Sequence, residues 1–230
     1  MLPTIFDFNG VLVDDEAVHL AAFCEVLRPA GVSVDMPMYL ERYFGFDDAG
    51  ALRAMLVDAG RSPTDQEVAR LVAAKKPVYM RLLGDSLVVF EGAPELVRRR
   101  AELGPVGIVS GALRDEIEHA LGVMGVRDKI SFIVSAEDAS RCKPDPEGYL
   151  LGVRALESLG AGPCAIGAAI VVEDSIAGIE AAKAASLRCA AVAHSYPADA
   201  LRAAGADVVV ARLADLTDEV LLARGGGSGR

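Results

Sequence analysis

The sequence predicts an α/β fold: a Rossmann-like parallel sheet core with helices on both faces, plus an inserted all-helical cap domain. Three observations carry that prediction. From residue 90 onward, short apolar runs alternate with helical patterns. Residues 16–89 show helical spacing throughout, with Gly or Pro stops between segments. The apolar run that opens the chain, "TIFDF" at residues 4–8, matches the later strands better than the helical block beside it.

Residues 4–8 read as the first strand. Four helical patterns follow: "EAVHLAAFCEVLRPAG", "MPMYLERYFG", "AGALRAMLVDAG" and "TDQEVARLVAAKKPVYMRLLG". "PVGIVS" (105–110) then precedes "ALRDEIEHALGVMG", and "ISFIVS" (130–135) precedes a loop and "PEGYLLGVRALESLG". "AAIVVED" (168–174) leads into "SIAGIEAAKAA", and "RCAAVA" (188–193) and "ADVVVA" (206–211) complete the series. This alternation implies βαβ crossovers and a parallel sheet buried on both faces. The expected boundaries are residues 1–15 with 90–224 for the α/β core and 16–89 for the helical insertion. The Gly-rich tail 225–230, "GGGSGR", is expected to be flexible.

Composition narrows the function. The chain has 230 residues, 52% of them hydrophobic, enough for a large core. Its net charge of −10 repels phosphate backbones and argues against a nucleic-acid partner. No uninterrupted apolar stretch is long enough to span a membrane, and a strand pattern starts where a signal peptide would lie. A cytoplasmic protein is the default expectation. Cys24, Cys142, Cys164 and Cys189 lie far apart without a CxxC pair, so reduced and mostly buried thiols are expected rather than a zinc site.

In doubly wound sheets, ligands sit at the C-terminal ends of strands. The polar residues at those ends are Asp7, Ser110 and the pair Glu173-Asp174, and the loop "RCKPDPEGY" adds Lys143. Clustered carboxylates repel one another and call for a cation, and oxygen ligands suit Mg²⁺. A metal beside a carboxylate nucleophile, with Ser and Lys for anionic oxygens, is equipment for phosphoryl transfer. Each residue also has a plainer reading. Asp7 could be a strand-end acid, Ser110 and Asp174 helix caps, and Lys143 a solvated loop residue.

The segments "FDFNGVLVDDE", "SG" after an apolar strand, "KPDPEGY" and "IVVEDSIAGIEAAKAAS" resemble, in order and spacing, the four motifs of the haloacid dehalogenase superfamily. The resemblance extends over essentially the whole chain. It is closest to the β-phosphoglucomutase and phosphoglycolate phosphatase branch, whose helical cap follows the first motif. It implies an enzyme, a Mg²⁺-dependent phosphatase acting on a small phosphorylated metabolite. Asp7 would be the nucleophile that forms an aspartyl-phosphate. Ser110 and Lys143 would hold phosphate oxygens, and Gly10, His19, Gly111 and Ala112 would contact substrate. The metal would be bound by Asp7, Asp174 and the backbone carbonyl of Asn9, with Glu173 as a ligand or just behind one. A sugar-phosphate mutase is the enzymatic alternative. The cap segment "YFGFDDAGAL" disfavours it, because Asp47 and Asp48 stand there without an arginine for a second phosphate. A receiver-type signalling domain would be about half as long, with its acceptor acid elsewhere.

Position 9 departs from the branch, which has an aspartate there as general acid and base. Asn9 keeps a backbone carbonyl and a hydrogen-bonding side chain but does not titrate. The expected defect is selective: metal and nucleophile survive while proton transfer, worth roughly 10²- to 10⁴-fold, is lost. Good leaving groups should suffer least. His19, Asp15 or Glu16 could supply the proton instead. A weakly active phosphate-binding protein and an engineered substitution are the other readings. Branches that cleave carbon–halogen bonds also lack this aspartate but work without Mg²⁺, which the intact Glu173-Asp174 pair argues against. The phosphonate branch uses a cap lysine, and Lys75 and Lys76 fall late in the cap for that role. Arg42 and Arg53 are expected in surface ion pairs, and Cys142 in packing.

Overall fold

The computed structural model describes residues 1–84 and 87–222. The expected tail at 225–230 lies outside them. The chain divides into two compact units, Met1–Val13 with the residues from Val89 onward, and Asp14–Val88.

The first unit is built on six parallel strands. In chain order the strands of the protein are β1 (Thr4–Phe6), β2 (Val13–Asp14), β3 (Val88–Val89), β4 (Val106–Val109), β5 (Ile130–Val134), β6 (Ile170–Glu173), β7 (Arg188–Val192) and β8 (Val208–Val210). The sheet order is β5-β4-β1-β6-β7-β8, while β2 and β3 form a separate two-stranded sheet where the chain leaves and re-enters the unit. From β1 the chain builds outward to β4 and β5, then crosses to β6 on the other side. β1 is therefore the point where strand order reverses, and such a switch point opens a crevice beyond the strand ends.

Apolar side chains of the sheet pack under helices. Ile5, Val109 and Val171 meet Tyr149 and Leu156 of helix Glu147–Ser158, and Ile179 of helix Ile176–Ala184. All are essentially withdrawn from water. Burying side chains of this size contributes roughly 1.5–3 kcal/mol each. Every strand expected after residue 90 is present. The first is shorter than expected: β1 ends at Phe6, although the Asp7 N–H still donates to the Val172 carbonyl at 2.9 Å. The chain then turns away, with Gly10 at φ +75°.

The second unit contains helices Glu16–Leu27, Met36–Arg42, Asp48–Asp58 and Asp65–Leu83. Each falls on a segment with the expected helical spacing. The starts have sequence causes: the side chains of Asp35, Asp47 and Thr64 accept hydrogen bonds from Met38, Gly50 and Glu67 N–H groups. Leu20, Phe23, Leu27, Tyr39, Leu52, Met55 and Leu56 form this unit's core. Among the described residues, no helix is long and apolar enough to cross a membrane.

One expectation is corrected. All four cysteines are free thiols, but only Cys189 is buried, with Cys24 half-buried and Cys142 and Cys164 exposed. Cys142 sits in the loop before Lys143 and Cys164 on the short helix Pro163–Gly167, both outside the sheet core.

Candidate active site

Parallel register fixes where the polar strand ends meet. Phe6 pairs with Ile108 of β4 and with Val172 of β6. Asp7, Ser110 and Glu173-Asp174 therefore emerge side by side at one edge. Ser110 is held by its N–H, which donates to the Val134 carbonyl of β5 at 3.0 Å.

The acids converge. Asp7, Glu173 and Asp174 are all buried, and each offers an oxygen within 4.8 Å of the others. Lys143 bridges two of them, at 2.8 Å from Asp7 Oδ1 and 2.6 Å from Glu173 Oε1. One ammonium against three carboxylates leaves the cluster short of positive charge. The titration behaviour reflects that shortage. Burial pushes the Asp7 carboxyl up to about 6, with Lys143 opposing and Glu173 adding to the rise. Burial also raises Asp174 well above the usual carboxylate range, reinforced by Glu173 and Asp7. For Glu173, burial pushes upward, but Lys143 and the hydrogen bonds from Lys143 and Tyr149 outweigh it, so its carboxyl is lowered. Lys143 is raised: burial opposes its charge, and Asp7 and Glu173 more than offset that. A hard divalent cation with oxygen ligands fits this donor set and would supply the missing charge.

Glu173 is already saturated. Its Oε1 accepts from Lys143 Nζ and, at 2.7 Å, from the Tyr149 hydroxyl. Its Oε2 accepts from the Asp174 N–H, the Ser175 N–H and the Ser175 hydroxyl at 3.0–3.2 Å. Gly178 makes room for this carboxylate, since a Cβ there would stand 1.9 Å from Oε1.

The capping alternatives for two residues are ruled out by geometry. Ser175, not Asp174, caps helix Ile176–Ala184, through its Oγ and the Gly178 N–H at 3.0 Å. Helix Arg114–Val123 begins after Leu113, whose N–H is held by Glu116 at 3.0 Å. Ser110 Oγ instead accepts from the Ala112 N–H at 3.1 Å and donates to Asn9 Oδ1 at 3.4 Å. Gly111, exposed, and Ala112, buried, form the bend that leads from Ser110. Gly10 passes close against Asp174: a Cβ would meet Oδ2 at 2.0 Å.

The profile of the haloacid dehalogenase-like hydrolases matches residues 4–192, a span that contains all of these residues. The chain belongs to that family. It is 32% identical over 215 residues to validoxylamine A 7'-phosphate phosphatase of Streptomyces hygroscopicus subsp. limoneus, covering 93% of each chain. It is 28% identical to β-phosphoglucomutase of Bacillus subtilis over 226 residues, 96% of this chain and 94% of the other. Among solved structures it resembles an aspartate-to-asparagine mutant of CbbY from Rhodobacter sphaeroides in complex with xylulose-1,5-bisphosphate. That match has a TM-score of 0.79 and 25% identity, and covers 94% of this chain and 96% of the other.

The remaining sequence candidates of this haloacid dehalogenase-like hydrolase lie in the helical unit. His19 belongs to a buried polar network there. Its Nδ1 accepts from Lys75 Nζ at 2.7 Å, and its Nε2 stands 3.1 Å from Asp15 Oδ2. Lys75 is fully buried and also binds Asp48 at 2.5 Å. Arg42 pairs with Asp58 at 2.9 Å and Arg53 with Asp65 at 2.5 Å, as expected of surface residues. Sequence reasoning did not single out Tyr149, Ser175, His194 or Ser195, all of which touch the site's residues.

Proposed function

We propose that the protein is a Mg²⁺-dependent phosphatase that cleaves a small phosphorylated metabolite, of the sugar-phosphate class, through an aspartyl-phosphate on Asp7. The observation that carries this reading is the convergence of Asp7, Glu173 and Asp174 around Lys143 at the switch point of the sheet. The names of the relatives support the substrate class, as does the sugar bisphosphate held by the CbbY mutant.

Asp7, Asp174 and the Asn9 carbonyl would hold the metal. When bound, it neutralises carboxylate charge and polarises phosphate oxygens. Glu173, its oxygens occupied by five donors, anchors Lys143 and the turn behind Asp174 instead. An Asp7 oxygen attacks phosphorus, and the bond to the leaving oxygen breaks. Lys143 and Ser110 stabilise charge on the transferring oxygens. Water then attacks the aspartyl-phosphate, releasing phosphate and restoring Asp7. Asn9 orients the leaving oxygen but gives it no proton, so the oxygen departs as an anion or takes a proton from solvent. Residues 14–88 serve as the cap that selects the substrate.

The mutase reading is weaker. Asp47 caps its own helix and Asp48 pairs with Lys75, so this segment offers anions where a second phosphate needs cations. Asn9 favours a second reading, a phosphate-binding protein with little turnover. Phosphate release from p-nitrophenyl phosphate separates these readings. Release that requires Mg²⁺, stops in EDTA and is abolished by Asp7→Asn supports the phosphatase. Binding of Mg²⁺ and phosphate with no turnover of any phosphoester overturns it in favour of the binding protein.

A further inference from the structure

The turn that leaves β7 carries no recognised motif, yet two consecutive residues of it grip the site. β6 and β7 run in register, with Glu173 opposite Ala191, so the residues after Val192 emerge beside Asp174. The turn is anchored on its other side by the Ala193 N–H, which donates to the Val210 carbonyl at 2.9 Å. Ser195 Oγ donates to Asp174 Oδ2. His194 Nδ1 lies 2.9 Å from the Gly10 carbonyl. A carbonyl only accepts, so that nitrogen carries the proton and donates. The imidazole is fixed from its face by stacking on Phe90, with centroids 4.0 Å apart and planes 20° from parallel.

These contacts act on one face of one carboxylate. Gly10 packs so closely on Asp174 that a Cβ would stand 2.0 Å from Oδ2 and 3.0 Å from Oδ1. His194 holds that glycine, and Ser195 holds Oδ2 directly. The carboxylate is thereby held on two sides, by the Ser195 hydroxyl at Oδ2 and by the Gly10 backbone packed against it. A hydroxyl that merely satisfied a buried acid would need no partner holding the opposing backbone. Here the same turn fixes both the acid and the glycine against which the acid rests.

We propose that Ser195 is a positioning residue of the metal site, orienting Asp174 for the cation, with His194 holding the Gly10 loop against it. The inference rests on the metal reading given above. Hydrogen-bonding partners behind a metal ligand are typically worth 10- to 100-fold in metal affinity.

The test is Mn²⁺ binding, followed by the loss of the free-ion electron paramagnetic resonance signal, on the full chain without substrate. Wild type, Asp174→Asn, Ser195→Ala and Ser195→Thr are compared, with melting temperatures in EDTA as a check on folding. The expected result is tight binding by wild type and loss of binding in Asp174→Asn. Ser195→Ala should be weakened about 10- to 100-fold, and Ser195→Thr, which keeps the hydroxyl, should be largely restored. Wild-type affinity in Ser195→Ala, or Ser195→Thr as weak as Ser195→Ala with both folded, overturns the positioning role and leaves the metal site standing. If wild type binds no Mn²⁺, the metal reading falls and takes this inference with it.

Discussion

Replacing Tyr149 with phenylalanine removes one hydroxyl from the most buried part of the site and changes little else. The ring is fully buried on helix Glu147–Ser158, and Lys143 Nζ lies 5.3 Å from its centroid, a contact that phenylalanine keeps. The hydroxyl donates to Glu173 Oε1 at 2.7 Å, and Glu173 is itself fully buried. A hydrogen bond to a charged group contributes about 1.5–3 kcal/mol. Lys143 still serves Oε1 after the change, so the loss should fall at the lower end, about 1.5 kcal/mol. For a chain of this size that lowers the melting temperature by about 3–6 °C. The loss also has a pH signature. The hydroxyl helps hold the Glu173 carboxyl below its usual range. Such a group contributes stability above its unfolded value and loses it as pH falls through its folded one. The difference between wild type and Tyr149→Phe should therefore shrink in acid. Urea denaturation in EDTA at pH 7 and at decreasing pH measures both effects. A loss below about 0.5 kcal/mol, or one that does not vary with pH, would show that the hydroxyl does not serve an ionised, buried Glu173.

Two further outcomes are expected. Gly10→Ala places a Cβ inside the Asp174 carboxylate at a backbone φ of +75°, so it should cost about 1–3 kcal/mol and abolish the rise in melting temperature that the proposed metal site predicts for wild type in Mg²⁺. Thermal melts with and without Mg²⁺ check this, and a wild-type response would contradict it. In EDTA, wild type should lose stability relative to Asp7→Asn as pH rises from about 4 to 6. The folded Asp7 holds its proton up to about 6, against an ordinary value of 3.8, so over that window the folded state binds more protons than the unfolded one. The limit from Asp7 alone is about 3 kcal/mol, and the raised Asp174 acts in the same direction. On the proposed metal site, saturating Mg²⁺ should remove the decline, because it would bind the deprotonated acids. Melting temperature against pH for both proteins in the two conditions reads the difference, and a wild type that does not fall relative to Asp7→Asn in EDTA would refute the charge-deficient cluster.

Much of this was legible in the sequence because strand ends in a parallel sheet announce themselves. Asp7, Ser110 and Asp174 each close an apolar run, and the parallel register then brings them together without further instruction. Helix Ala93–Leu103 carries a signal too, Pro94 at its start and Gly104 after its end, but hydrophobic alternation alone passes over it. What was not legible depends on register between distant segments. Tyr149 reads as one more residue on the buried face of a helix, with Gly152 and Leu156, and only the fold sets its hydroxyl on Glu173. Ser195 and His194 occupy an unremarkable turn whose importance comes from the adjacency of β6 and β7. The pairing of Lys75 with His19 and Asp48 likewise joins residues 56 and 27 positions apart.

The central claim is that metal and nucleophile are competent while the amide at position 9 limits proton transfer. Its most direct measurement is phosphate release from p-nitrophenyl phosphate and from a sugar phosphate, in Mg²⁺ and in EDTA, by wild type and Asn9→Asp. The account predicts that wild type cleaves the aryl ester in Mg²⁺ far better than the sugar ester. Asn9→Asp should raise sugar-ester cleavage by roughly 10²- to 10⁴-fold and aryl-ester cleavage much less. Equal cleavage of both esters by wild type, unchanged in Asn9→Asp, would contradict it and assign the proton to another residue.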